Sequence, residues 1–387
     1  MKPGIGIIGC GGRLQGVIQP RSDAPVVAIC DPDPESVAAA RKLYGADFKV
    51  YATAAELCAD PAVTWVAVGS WNSLHRAHAV TALRAGKHVF CEKPLAITLA
   101  DCLAIRDAVQ AAPHQMFSFG LVLRYSELYR KVSELLQAGA IGRLISFEFN
   151  ETLNFNHGGY IMGNWRRFRR NAGTHLLEKC CHDLDLAHWF VGALPVRVAS
   201  FGGLNFFTPE NQRHIQRLGK DPEGRAAYQT WPTADRTNPF TAEKDIVDNQ
   251  VVILEYANGV RATFHTNCNA GVSERRFYLL GSEGAIRADA TTGIVELHPI
   301  GFGAQPEITD TQASGGHAGG DEILRASLFD SILRARRRRL ALPKRCSPRS
   351  PGSESIKHSI PVRLSTCAPS GSKPVSHPNG LLKKPRL

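Results

Sequence analysis

Short apolar runs alternate with stretches of helical periodicity over the first 119 residues. Ile5–Ile8, Val26–Cys30 and Trp65–Gly69 have the length and the apolar content of buried strands. Stretches with helical spacing lie between them, among them Pro34–Tyr44 and Ala54–Ala59. Strands and helices that alternate at this spacing predict a doubly wound parallel sheet, so residues 1–119 are expected to form an α/β domain.

One more helix and strand lead to a polar segment. Ser73 is placed to cap a helix that ends at Gly86, and an apolar strand follows. This strand stops at Glu92-Lys93-Pro94. Because ligands of open α/β sheets bind at the carboxyl ends of the strands, Lys93 is expected to bring an ammonium group to the rim of a site.

From residue 120 onward the pattern changes to a helix and then to strands joined by short turns. The helix Ser126–Gln137 precedes an alternating strand, Leu144–Glu151. Four further strands are predicted, with a tight hairpin turn at Asn258-Gly259: Asn249–Tyr256, Val260–Asn267, Arg276–Leu280 and Ile294–His298. Residues 120–333 are therefore expected to form an α+β domain with a large, mostly antiparallel open sheet.

The turn after the first strand is rich in glycine. Gly9 allows a tight turn, and Gly11 lets a pyrophosphate approach the backbone. Gly12 and Arg13 lead into a helical stretch whose first N–H groups are free to bind phosphate. Leu14 stands where the dinucleotide-binding fingerprint has its third glycine or alanine. The context favours dinucleotide binding, and a glycine-rich turn of another kind is the alternative.

Asp31 ends the second predicted strand, 22 residues after Gly9. A carboxylate there can accept hydrogen bonds from an adenosine ribose, and it would repel the 2′-phosphate of NADP. We therefore expect NAD as the cofactor, with NADP as the weaker candidate. The expected cofactor site also includes polar residues that follow the next two strands: Ser70, Asn72, His75, Glu92 and Lys93.

A second polar cluster lies on the predicted amphipathic helix Leu176–Phe190. Glu178, His182 and Asp185 are spaced four and three residues apart, so they are expected to share one helical face. This geometry suits an imidazole base whose tautomer is held by a carboxylate. Ordinary pairing along a polar helix face is the alternative.

These motifs occur together in an order that resembles one known family. The combination of Glu92-Lys93-Pro94 with a downstream His-x-x-Asp at His182 is highly specific. The other matching segments are Ile7–Gly12, Asn72–His75, Gly86–Val89, Arg124-Tyr125 and Gly139–Arg143. Over roughly residues 4–330 the chain resembles the Gfo/Idh/MocA oxidoreductases, which include glucose–fructose oxidoreductase and inositol dehydrogenase.

The resemblance implies hydride transfer between a nicotinamide and a secondary alcohol of a sugar, an inositol or a related polyol. Lys93 would stabilise developing alkoxide charge, and His182 would act as the acid/base. Relatives usually have an aspartate at the position of Glu178. In this chain, Glu178 and Asp185 would orient the imidazole of His182 or bind a neighbouring hydroxyl group. Substrate contacts are expected from Arg124, His157 and Trp165.

The resemblance also implies a homo-oligomer assembled through the C-terminal sheet. Two other functions stay open, namely an NAD-using glycosidase of the same fold and a catalytically impaired NAD-binding protein. The basic run Trp165–Arg170 is also typical of nucleic-acid binding, but nothing else supports that partner and none is expected. The loop Gly315–Asp321 either bears on the site or is a flexible connector.

The composition indicates the number of cores, the state of the cysteines and the expected location of the protein. A chain of 387 residues can bury two cores. Its ten cysteines form no Cys-x-x-Cys pair, so we expect free thiols in a reducing compartment, with Cys180-Cys181 in packing and no metal site. No apolar run approaches membrane-spanning length, and the first strand leaves no room for a targeting peptide. The expected location is the cytoplasm.

The formal net charge of +11 is confined to the C-terminal end. Residues 334–387 carry 14 Lys and Arg against the single acid Glu354, and this tail, rich in Ser, Pro and Arg, is expected to be disordered. After a stretch like Ile323–Leu333, relatives add a final helix that packs near the nucleotide domain, and nothing in this tail matches it. We therefore infer a reading frame lost around Arg336–Pro343. A genuine polybasic tail that binds nucleic acid or an anionic surface is the alternative.

Overall fold

The first part of the chain folds into a parallel sheet flanked by helices. The computed structural model describes residues 2–231, 237–313 and 317–340. The first six strands are β1 Gly4–Ile8, β2 Val26–Cys30, β3 Lys49–Val50, β4 Val63–Val68, β5 His88–Cys91 and β6 Phe117–Phe119. The first five helices are α1 Gly12–Val17, α2 Pro34–Tyr44, α3 Ala54–Ala59, α4 His75–Arg84 and α5 Leu99–Ala111. The strand order β3-β2-β1-β4-β5-β6 is that of a Rossmann fold, which confirms the predicted doubly wound sheet.

The second part contains an eight-stranded sheet in the order β14-β13-β12-β11-β7-β10-β9-β8. Its strands are β7 Leu144–Asn154, β8 Pro195–Gly203, β9 Asn249–Tyr256, β10 Arg261–Ala270, β11 Arg276–Gly281, β12 Gly284–Asp289, β13 Ile294–Pro299 and β14 Glu307–Asp310. The helices are α6 Glu127–Gln137, α7 Phe155–Gly163, α8 Arg169–Ala172, α9 His175–Glu178, α10 Cys181–Val191, α11 Arg213–Leu218 and α12 Gly320–Leu340. Among the described strands of this sheet, β7 and β10 form the one parallel pair and the other neighbours are antiparallel, as predicted.

Short or irregular elements departed from the predicted pattern. The strands β3, β6, β8, β12 and β14 were not predicted. The prediction that Ser73 caps α4 was wrong, because the chain enters this helix through a 3₁₀ turn, Asn72–Leu74. Ser73 therefore lies inside the turn, and α4 begins without a side-chain cap.

The last described helix packs on the Rossmann domain. Helix α12 places Leu328 and Ile332 in the same apolar core as Ile5, Trp65 and Phe90 of this domain. It contains the stretch Ile323–Leu333 and continues through residues 334–340, where the sequence predicts the start of a disordered tail. A final helix after this stretch would fall outside the described residues, so its loss stays a prediction. The remainder of the predicted tail, residues 341–387, lies outside the described residues.

Two further expectations concern cysteines and membranes. The eight cysteines within the described ranges are free thiols, and six of them are buried. Across the same ranges, the helices are too short or too polar to cross a membrane.

The missing third glycine of the turn is compensated on the neighbouring strand. Leu14 is buried, and its side chain fills the space above Gly69, the residue after β4. A Cβ on Gly69 would lie 2.5 Å from Leu14 Cγ. The close approach of α1 to the sheet thus uses a small residue on the strand instead of one on the helix.

This arrangement predicts strong coupling between the two positions. Gly69→Ala is expected to cost about 1–3 kcal/mol of the free energy of unfolding by overpacking. Leu14→Ala is expected to cost about 2–5 kcal/mol by leaving a cavity. The double variant should lose less unfolding free energy than the two single variants together. The added methyl group at position 69 occupies part of the cavity that Leu14→Ala leaves. Urea unfolding of all four proteins measures this, and additive losses would contradict the packing.

Candidate active site

The glycine-rich turn leaves open space where a dinucleotide would lie. Gly9 has a φ of +79°, and a Cβ there would lie 2.4 Å from the backbone nitrogen of Ser70. A Cβ on Gly11 or Gly12 would have no neighbour within 4 Å. The first position therefore needs glycine for β1 to approach β4, and the other two leave the backbone accessible to a phosphate.

Asp31 lies directly after β2, as the sequence predicts. Its carboxylate accepts hydrogen bonds from the backbone N–H of Cys10 at 2.7 Å and of Asp33 at 2.9 Å. The side chain thus ties the glycine-rich turn to the end of β2. Its contact with a ribose stays a prediction.

Arg13 pairs with acidic groups from two distant segments. Its Nε donates to Glu92 Oε1 at 3.0 Å, and its Nη1 donates to Asp321 Oδ1 at 2.6 Å. The structure thus brings together two predicted cofactor residues, Arg13 and Glu92, and adds the first turn of α12. The sequence places Asp321 only at the end of the loop Gly315–Asp321 and predicts no contact for it with Arg13.

The other predicted cofactor residues support the loop after β4. The His75 ring contacts the carbonyl oxygens of Pro94 at 2.8 Å and Ser70 at 3.0 Å. The Ser70 hydroxyl contacts the ring of His78, and Asn72 Nδ2 donates to the carbonyl of Ala172 at 3.0 Å. These contacts position the loop, and direct contact with the cofactor stays a prediction.

Lys93 reaches from the end of β5 to the end of α9. Its Nζ donates to the Glu178 carbonyl oxygen at 2.6 Å and lies 3.7 Å from Glu178 Oε1. Burial acts to lower the pKa of Lys93, but nearby acidic groups, chiefly Glu178, outweigh it and the pKa is raised. Lys93 is therefore an ammonium group with protons to donate at neutral pH.

Glu178 is a buried carboxylate between two cations. Besides Lys93, Arg166 donates its Nε to Glu178 Oε1 at 2.9 Å. Burial acts to raise the pKa of Glu178, but Lys93 and Arg166 outweigh it and lower this pKa to about 2. Arg166 also contacts the Tyr160 hydroxyl at 2.9 Å and stacks over the Trp165 ring at 4.3 Å.

The pKa of Glu178 predicts a stability loss in acid. A carboxylate whose folded pKa is depressed contributes stability above its unfolded pKa, and this contribution is lost as pH falls toward the folded value. The difference between the ordinary 4.5 and about 2 corresponds to roughly 3 kcal/mol. Between pH 6 and pH 2, Glu178→Gln should therefore lose less unfolding free energy than the wild type in urea denaturation series. Parallel curves for the two proteins would contradict this linkage.

His182 is buried and has no hydrogen-bond partner among the residues that the structure describes. Its side chain is 2% exposed, and both ring nitrogens lack a partner. Burial, reinforced by the positive charges of Lys93 and Arg275, holds the pKa of His182 well below its ordinary value. The imidazole is thus neutral and has an unshared lone pair available to a bound molecule.

The expected helical face of three catalytic residues is not formed. Helix α9 ends at Glu178 and α10 begins at Cys181, so the predicted continuous helix is broken between them. Asp185 accepts two hydrogen bonds of 2.7 Å from Arg124, which was expected to bind substrate. Neither carboxylate therefore holds the tautomer of His182. The spacing of these residues along the chain predicted one shared face. It does not reveal that the helix breaks after Glu178 or that Arg124, distant in the sequence, pairs with Asp185.

The predicted substrate residues His157 and Trp165 belong to an aromatic wall. His157 contacts the Trp231 ring at a centroid distance of 4.6 Å, and burial lowers its pKa to about 3. Trp165 stacks on Trp71 at 5.4 Å. Arg166 and Tyr160 connect the His157–Trp231 pair to the Trp165–Trp71 pair. The Arg166 guanidinium lies over both the Trp165 and the Tyr160 rings, and Tyr160 contacts the Trp231 ring.

A buried ion cluster behind the site was not predicted. Arg275 donates Nε to Asp183 Oδ1 at 2.8 Å and lies 2.7 Å from Glu151 Oε1. Lys179 lies 2.9 Å from the same Glu151 oxygen. Glu151, Asp183 and Cys180 are close enough to share a metal, but the two cations already neutralise the carboxylates. We interpret the cluster as an ion-pair network, and no local pattern in the sequence signals it.

Comparisons with known proteins agree with this geometry. Residues 4–119 match the oxidoreductase family model for the NAD-binding Rossmann fold of Gfo/Idh/MocA proteins, and residues 129–287 match the Gfo/Idh/MocA C-terminal domain. Inositol 2-dehydrogenase of Burkholderia cenocepacia is 28% identical over 273 residues, which are 69% of this chain and 68% of that protein.

Solved structures show the same fold at lower identity. Levoglucosan dehydrogenase in complex with NADH and levoglucosan has a TM-score of 0.67 and 20% identity, over 87% of this chain and 91% of that one. The myo-inositol 2-dehydrogenase of Lactobacillus plantarum has a TM-score of 0.64 and 18% identity, over 87% and 89%. Since the two family matches cover strands of both sheets, this chain belongs to the Gfo/Idh/MocA oxidoreductases and has their NAD-binding Rossmann domain.

Proposed function

We propose that this chain is an NAD-dependent dehydrogenase that oxidises a secondary alcohol of a sugar, an inositol or a related polyol. The observation that carries the proposal is the buried His182, which has no hydrogen-bond partner within the described ranges and whose pKa is lowered in part by the Lys93 ammonium. A neutral base beside a cationic donor suits an alcohol that must lose a proton while its oxygen gains negative charge. Relatives named for inositol and levoglucosan support a polyhydroxylated substrate.

The residues present fit a bound dinucleotide. The open backbone at Gly11 and Gly12 would hold the pyrophosphate, and NAD would supply the hydride acceptor when bound. Lys93 would donate a hydrogen bond to the reacting oxygen, and its charge would favour the alkoxide. His182 would take the hydroxyl proton on an unoccupied ring nitrogen. Glu178 and Arg166 would keep Lys93 in place through the contacts described above.

The position of Asp31 favours NAD over NADP. Its carboxylate ends β2 beside the glycine-rich turn, where a 2′-phosphate would meet like charge. We also propose assembly through the C-terminal sheet. Phe201, Val251 and Ile253 are exposed by 80%, 53% and 53%, and the first two are directly paired across β8 and β9.

The test begins with cofactor binding. Titration of the purified chain with NADH and NADPH, followed by tryptophan fluorescence, should show saturable binding that is stronger for NADH. A panel of inositols, sugars and sugar acids is then assayed for NADH formation at 340 nm. One NADH per oxidised substrate supports the proposal. Cleavage of a glycoside without net NADH would instead indicate the glycosidase, and NADH binding without turnover would indicate the impaired protein.

A further inference from the structure

A second imidazole lies against His182. The rings of His182 and His317 have a centroid distance of 5.7 Å and an interplanar angle of 63°. His317 comes from the segment before α12, 135 residues later in the chain than His182. The loop Gly315–Asp321 is predicted either to bear on the site or to be a flexible connector, and its described end, from His317 onward, contacts His182.

His317 has the carboxylate partner that His182 lacks. Its Nδ1 lies 2.7 Å from Asp321 Oδ2, and the other Asp321 oxygen accepts from Arg13. A carboxylate accepts only, so Nδ1 of His317 carries the proton and Nε2 carries the lone pair. The carboxylate-held imidazole that was expected at His182 is therefore formed at His317.

The backbone of this turn is held in an uncommon conformation. Ala318 has a φ of +47° and is 1% exposed. Its carbonyl oxygen accepts a hydrogen bond of 2.8 Å from the Ser126 hydroxyl, and a Cβ on Gly320 would lie 2.6 Å from the Val122 carbonyl. A non-glycine residue with positive φ persists only where its surroundings impose it. The packing thus holds His317 at one place beside the site.

His182 needs a route for the proton that it accepts. The other charged groups that act on it are Lys93, Arg275 and Glu151. Lys93 and Arg275 are cations without a lone pair, and Glu151 is already paired with Lys179 and Arg275. No described residue hydrogen-bonds to Nε2 of His317, and the His317 side chain is 23% exposed, whereas His182 is buried. The groups that face His317 are Asp321, Arg13, Arg275 and His182.

We propose that His317, held by Asp321, relays the substrate proton from His182 to solvent. This inference rests on the proposed function. NAD, when bound, would accept the hydride from the carbinol carbon, and the hydroxyl proton passes to one ring nitrogen of His182. Because no ring nitrogen of His182 hydrogen-bonds to His317 directly, the proton then reaches Nε2 of His317 through a water molecule between the two rings. His317 releases a proton to bulk water and returns to its neutral form. His317 acts through His182 and is a relay residue.

The kinetic test compares wild type, His317→Asn and a matched control. The asparagine amide can still donate to Asp321 but cannot relay a proton. We expect kcat to fall by about 10- to 100-fold with KM and NADH affinity unchanged, and imidazole in the buffer to restore part of it. His298→Asn, which breaks an exposed 2.7 Å contact with Glu296 on β13, should leave kcat unchanged. An unchanged kcat, a rise in KM alone, or a loss that imidazole does not rescue would overturn the relay.

A second measurement needs neither a variant nor a substrate. In ¹⁵N-histidine NMR of the wild-type protein, His317 should appear as the tautomer protonated on Nδ1, with a ring-to-ring contact to His182. A proton on Nε2 would overturn the proposal. Failure of the wild type to oxidise any polyol would refute the proposed function. The spectrum would then test separately whether His317 is protonated on Nδ1 and contacts His182.

Discussion

Lys93→Met is expected to lower kcat/KM by about 10²- to 10³-fold while NADH binding is retained. The ammonium donates to the Glu178 carbonyl at 2.6 Å and is kept protonated, so it is preorganised to stabilise an alkoxide. Methionine keeps most of the side-chain volume but supplies neither charge nor donor. Steady-state kinetics with the best polyol substrate and an NADH titration of the same variant measure the two effects separately.

The control for this variant is Lys49→Met. Lys49 lies 3.2 Å from Asp60, and its side chain is 68% exposed. Asp60 is buried but also accepts hydrogen bonds from the Tyr51 hydroxyl and the Ala62 N–H, so losing the exposed ammonium should leave activity and stability close to those of the wild type. Near-normal kcat/KM in Lys93→Met would remove Lys93 from the proposed chemistry. A parallel loss of NADH binding would make it a cofactor residue and not a catalytic one.

Arg275→Leu is expected to lower the free energy of unfolding by about 3–5 kcal/mol. Arg275 is 7% exposed and binds both Asp183 and Glu151. Removing the guanidinium leaves two buried carboxylates with Lys179 as their remaining cation. Because an uncompensated buried charge is costly, the loss should exceed that of an ordinary polar-to-apolar change. Chemical denaturation at pH 7 measures it.

The neighbouring residue provides a matched control. Arg276 has the same side chain, but it is 42% exposed and pairs with Glu148 and Glu274 at 3.2 and 3.4 Å. Arg276→Leu should change the free energy of unfolding by no more than about 0.5–1 kcal/mol. Equal losses for the two variants would show that the buried cluster has no special role in stability.

Local patterns accounted for most of the fold. The apolar runs at β1, β2 and β4 and the turn at Asn258-Gly259 were predicted because strand length, periodicity and turn chemistry depend on neighbouring residues. The strand β8 was not predicted, since eight of its nine residues pair only with β9 at the sheet edge and lack a buried face. The helical course of residues 334–340 was not predicted, because this basic run has no apolar spacing.

The sequence by itself determined the two sheets, the glycine-rich turn, and the placement of Lys93 after β5 and of His182 on a helix. These features follow from backbone periodicity and from residue types within a few positions of one another. The tertiary structure alone determined which charged side chains pair with one another. Arg124 pairs with Asp185 across 61 residues and Arg275 with Asp183 across 92, and His317 reaches His182 from the start of the last helix. Such contacts depend on how distant elements pack, and no local spacing encodes them.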